Sequence, residues 1–151
     1  MRKFYNLKKR FLTTGVAILL GLGIYYTVFG VGQAQAQTTY FVKENGTGAA
    51  LTATDWSTAS GDLQDVINNA VVGDKIFVMT GTYKPNRPAN TPTIVNATSR
   101  DNAFVLKEGV NIYGGFAGTE TTLAERLTIG ETILSGDLSG DDIPNDISSN
   151  K

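Results

Sequence analysis

The sequence predicts an all-β fold of the solenoid kind, with short strands stacked in parallel coils. Three observations predict it. Residues 76–81, 110–115 and 131–136 superpose on a closing glycine. In that alignment Val78, Ile112 and Ile133 share one position, and the small residues Thr80, Gly114 and Ser135 share another two places on. Side chains alternate along a strand, so both positions face the same way and form an inward column. The closing glycines, 81, 115 and 136, lie 34 and 21 residues apart. Such spacing suits repeats of short strands with loops inserted at the corners. A β-sandwich with glycine turns is the alternative that the same pattern allows.

The chain begins with a charge split. Of its 151 residues, Arg2, Lys3, Lys8, Lys9 and Arg10 put five positive charges before residue 11, and no acid precedes Glu44. Residues 11–32 carry no charge, and Ala34-Gln35-Ala36 comes next as a small-residue triplet. A basic start, an apolar run and an A-x-A site make residues 1–36 a secretory signal peptide, cleaved before Gln37. A retained anchor is the rival, because 22 uncharged residues are long enough to span a bilayer core. Membrane contact is expected only through 11–32, and only if they are kept. In both cases the chain beyond residue 36 is exported.

Residues 37–151 hold 8 basic and 14 acidic groups, a net charge of −6. Nucleic acid is therefore not an expected partner, since it is bound through basic patches. The chain has no His and no Cys. Imidazole or thiolate metal sites, Ser-His-Asp and Cys-His devices and disulfides are all excluded within it, so burial must hold the fold.

The exported part divides into a strand and helix over 37–74, coils over 75–142 and a polar tail over 143–151. Residues 38–43, β-branched and aromatic, predict a strand, broken by the turn-forming run 44–48. Trp56 stands alone among small polar residues and is either an apolar plug or a sugar-stacking platform. A helix is expected over 62–71. Leu63, Val66, Ile67 and Ala70 make its apolar stripe, Asp62 its cap and Gly73 its stop. Val78, Ile112 and Ile133, with Leu63, Val66 and Ile67, are the expected structural core. Residues 84–100 carry three of the four prolines and form a surface loop. Residues 103–106 are expected to be a further strand, joined to Val110 by a corner at 107–109. Glu131 breaks the inward pattern, so the third strand enters late or lies at an edge.

The runs YFVKENGTGA, DLQDVINNAVVGDKIFVMTGTYKP, NAFVLKEGVNIYGGFAGTET and TILSGDLSG span about residues 39–142. They resemble the N-terminal region of secreted right-handed parallel β-helix proteins of the pectin-lyase-like kind, with relatives among polymorphic outer-membrane proteins of Gram-negative bacteria. The resemblance implies a right-handed parallel β-helix whose first strand and amphipathic helix cap the opening coils. It implies a secreted or outer-surface location, with surface glycans or proteins as partners. Members are far longer, so the chain looks like the front of a larger protein or a truncated copy.

Candidate chemistry is sparse. Asp137, Asp141, Asp142 and Asp146 cluster with glycines and Asn145. They are a weak calcium candidate, set against a solvated corner loop, and their spacing is not that of an EF-hand. No other cofactor is expected. None of Arg87, Arg100 and Arg126 sits on a repeat strand facing an acid cluster, and the adjacent Asp141 and Asp142 would point opposite ways on a strand. No catalytic residue is assigned. The expected function is a non-catalytic structural or adhesive module. The alternative is the front of a polysaccharide lyase or hydrolase whose active coils are absent.

Overall fold

The computed structural model describes residues 36–126 and 130–140. The chain divides into two units, 1–36 and 37–151. The signal read in 1–36 lies, Ala36 aside, outside the described residues. So do Asp141, Asp142, Asp146 and the tail 143–151.

The described part of the second unit is β-rich, with small parallel sheets and little helix. Its elements are β1 (Thr39–Val42), α1 (Leu63–Asn69), β2 (Lys75–Met79), β3 (Gly81–Tyr83), β4 (Asn111–Phe116) and β5 (Thr132–Leu134), with 3-10 turns at Ala50–Thr52 and Leu123–Glu125. One sheet has the order β1-β2-β4 and the other pairs β3 with β5. All these ladders are parallel, whereas the sheets of a β-sandwich with glycine turns are antiparallel.

The larger sheet repeats at an even step. Thr39 lies beside Lys75 and Lys75 beside Asn111, so each move to the next strand advances 36 residues. Tyr40, Ile76 and Ile112 therefore form one column, and Phe41, Phe77 and Tyr113 the column on the opposite face. Phe41 meets Phe77 edge-on at 5.6 Å between ring centroids, and Phe77 meets Tyr113 at 6.1 Å. Asp74 fixes the start of this register. Its carboxylate accepts from the N–H groups of Thr38 and Val71, and its carbonyl accepts from Asn111 N–H.

The register departs from the glycine alignment by two residues. Ile112 stands beside Ile76, not beside Val78. The face survives, because a shift of two leaves every side chain on its own side. A bulge follows further along the same ladder. Between Phe77 and Met79 the partner strand runs from Tyr113 to Phe116, one residue longer, and Gly115 takes a φ of 83°. Gly115 is thus a bulge residue and not a coil corner.

Ile133 departs further. The alignment places it in the column of Val78 and Ile112, yet it pairs with Thr82 of β3 and is 46% exposed. Its neighbours Thr132 and Leu134 instead border the hollow lined by Val78 and Ile112. Alternation then turns Ile133 away.

Two apolar clusters cover the two faces of the larger sheet. Leu63, Val66, Ile67 and Ala70 pack with Tyr40, Val42, Ile76, Val78 and Tyr83. Phe41, Ala59, Phe77 and Phe116 form the second cluster, with Trp56 and Tyr113 against it. Asp62 caps α1 by accepting from Asp65 N–H. The helix is shorter than expected, because Ala70 is already extended at φ −62° and ψ 153°.

Residues 103–106 join neither sheet. Gln64, 1% exposed on α1, takes the place of a neighbouring strand. Its Oε1 accepts from Val105 N–H at 2.8 Å and its Nε2 donates to Val105 O at 3.1 Å. One side-chain amide thus satisfies a residue that would otherwise need a ladder partner.

Candidate functional site

A polar pocket of about 290 Å³ opens where the turn after β1, the start of α1 and the segment after β3 converge. The turn is closed by Gly46 N–H donating to Lys43 O at 3.1 Å. Asn45 takes its left-handed position at φ 57°, a conformation that Asn tolerates better than most residues. Glu44 then reaches β3, where its Oε1 accepts from Thr82 N–H at 2.6 Å. Gly81 makes room for this: a Cβ there would lie 2.7 Å from that same oxygen, and its φ is 148°.

The opposite wall is an ion pair. Arg87 Nη1 lies 2.7 Å from both oxygens of Asp62, and Asn86 Nδ2 lies 3.3 Å from one of them. Burial pushes the Asp62 carboxyl up. Arg87, the Asp65 N–H and Asn86 outweigh it and hold the group below its ordinary value of 3.8. Tyr83, whose hydroxyl donates to Met79 O, is pushed up to about 12 by burial and by the charge of Glu44. Near neutral pH Asp62 therefore stays ionised and Tyr83 neutral.

Lys84 and Asn45 are exposed at the mouth, Phe104 is half-buried, and Thr82 is exposed between them. Asp62 is legible from the residues as a helix cap, with no sign of its partner. Arg87 comes from a proline-bearing loop without periodicity, and Glu44 lies in a stretch legible only as a turn.

Of the acidic cluster, Asp137 falls among the described residues. Its Oδ1 accepts from Gly140 N–H at 2.6 Å and so closes its own loop. Among the described residues no group of three or more His, Cys, Asp or Glu is placed to hold a metal ion. Among the described residues Arg126 makes no ion pair, and its Nη1 donates to Gly114 O.

Trp56 acts as a plug. Its ring meets Phe41 edge-on at 4.8 Å and Phe116 at 5.9 Å, and Nε1 donates to Glu120 O at 2.7 Å. Glu120 in turn organises the loop after β4. Its carboxylate accepts from the N–H groups of Ala117, Gly118 and Thr119. Burial raises this group, but those bonds outweigh it and hold it below 4.5.

In comparisons with known proteins, no family model, no curated protein and no solved structure matches the chain.

Proposed function

We propose that the chain is an exported, non-catalytic module formed by the N-terminal cap and opening turns of a right-handed parallel β-helix, acting structurally or adhesively at the surface of a Gram-negative bacterium. The observation that carries this reading is the even stack of β1, β2 and β4, parallel and in register at successive steps of 36 residues. Even stacking with aligned side-chain columns is what a coil-on-coil solenoid requires. The closed first edge adds support. Phe41 N–H donates to Ala53 O, Ser60 N–H to Phe41 O and Lys43 N–H to Ser60 O, so the chain's own loop covers the outer side of β1. The export part rests on residues 1–36 alone: the basic start, the uncharged run and the A-x-A triplet.

Expression of the full chain with a C-terminal tag in a Gram-negative host tests the reading. The expected product lies outside the inner membrane, begins at Gln37 and is digested by protease added to intact cells. Unprocessed protein held in the cytoplasm would overturn it.

A further inference from the structure

We propose that the polar pocket beside β3 binds a neutral saccharide, with one apolar sugar face toward Phe104 and the hydroxyls bonded by Glu44, Asn45, Thr82 and Lys84. The inference deepens the adhesive reading and rests on it.

The first support is the lining. Hydroxyl groups both donate and accept, so a sugar is matched by donors and acceptors set side by side. The pocket offers them: an amide at Asn45, a hydroxyl at Thr82, an ammonium at Lys84 and the second carboxylate oxygen of Glu44. Among the described residues neither Asn45 nor Lys84 makes a side-chain hydrogen bond, and Lys84 Nζ lies beside Gly140.

The second support is charge. Asp62 is neutralised in place by Arg87, and Glu44 and Lys84 contribute one charge of each sign. Among the described residues the lining is thus net-neutral and rich in polar groups, which favours an uncharged hydroxylated ligand over an anion or a cation.

The third support is rigidity. Glu44 is held by Thr82 N–H, Asp62 by Arg87 and by the start of α1, and β3 by its ladder with β5. The groups that would bond a sugar are thus set before it arrives, which reduces the cost of ordering them. At about 290 Å³ the pocket is small. It suits a single sugar unit, such as the end of a chain, better than a long stretch of polymer.

The test is an amide chemical-shift titration of the full chain with glucose, galactose, mannose and N-acetylglucosamine at about 1–50 mM, a range set by the weak affinity of single sugar units. Glucuronate and galacturonate serve as charged comparisons. At least one neutral sugar is expected to shift the amides of 44–46 and 82–84. That binding is expected to weaken about tenfold in Lys84→Gln and in Asn45→Gly. Glycine keeps the left-handed backbone at 45 relaxed, and both variants are expected to melt with the parent. Tighter binding of the uronates at this pocket would overturn the neutral assignment. Shifts confined to other surfaces would overturn the site and leave the adhesive reading standing. Absence of shifts with every sugar, or pocket shifts unchanged in both variants, would also overturn it. The export reading is judged separately, by location and processing.

Discussion

At its first edge the three-stranded sheet is finished by backbone. The segment after β1 returns along it, and Ala53 and Ser60 take up the outward groups of Phe41 and Lys43. At its last edge no strand lies against β4 among the described residues. There, a side chain does part of the work: Arg126 donates to Gly114 O. Thr132 Oγ1 instead fills the seam between β2 and β4 at the bulge, accepting from Gly115 N–H and lying 3.0 Å from Met79 O. Beside this edge is an apolar hollow of about 350 Å³ bordered by Val78, Leu106, Val110, Ile112 and Leu134. The two edges share one register and one pair of columns, so the difference lies in the cover and not in the strands. A column of stacked side chains is fully buried only where something lies on both sides of it.

The largest expected effect tests this within a single column. Ile76 is 0% exposed, with Tyr40 on one side and Ile112 on the other. Ile112 is half-buried, and among the described residues its strand neighbour is Ile76 alone. Ile76→Ala is expected to cost about 4 kcal/mol and Ile112→Ala about 1–2 kcal/mol, the gap reflecting burial alone. Denaturant melts of the two variants measure it. Equal losses would mean that the β4 edge is as well covered as the β1 edge, and the contrast would fail.

A smaller effect separates the edges by pH. Glu120 is 5% exposed and binds three consecutive N–H groups of the loop after β4. Its pKa is depressed in the folded chain from an ordinary 4.5. The stability it adds is therefore fully present above the unfolded value and is lost as pH falls through the folded one. Glu120→Gln is expected to cost about 2 kcal/mol at neutral pH, since it weakens charge-assisted bonds to a buried loop. The loss should shrink as pH falls from the unfolded value through the lower folded one, where the parent carboxylate becomes protonated. Thermal melts of both proteins between neutral and acid pH measure this. A loss of the same size at every pH would assign the effect to packing around Trp56 and not to charge.

Period makes part of this molecule legible in its sequence, and distance along the chain hides the rest. Alternation places Ile76, Val78, Val110 and Ile112 on one face, and that face is correct because a parity of two tolerates a slip of two. The exact register is not legible, because Gly115 reads as a corner when it is a bulge. Ile133 is misplaced by an alignment that stacks three similar segments together, while the third joins β3 in a separate sheet. Residues 103–106 have the composition of a strand, and nothing local reveals that Gln64, 41 residues away, satisfies Val105. The pocket is the least legible feature. Its ion pair spans 25 residues, between a helix cap and an irregular loop, and neither end carries a periodic signal.

The smallest expected effect lies at the rim of the open hollow. Leu106 is 69% exposed there, so its side chain has little burial to lose. Leu106→Ser is expected to change stability by less than about 0.5 kcal/mol, the range of ordinary surface substitutions. Its consequence should appear in association instead. An exposed leucine beside an apolar hollow and a strand edge without a strand neighbour is a surface to which other chains can add. The variant should therefore show less concentration-dependent self-association by sedimentation, with an unchanged melt. A destabilisation comparable to that of Ile76→Ala would mean that Leu106 is covered in solution, and the contrast between the two edges would fail.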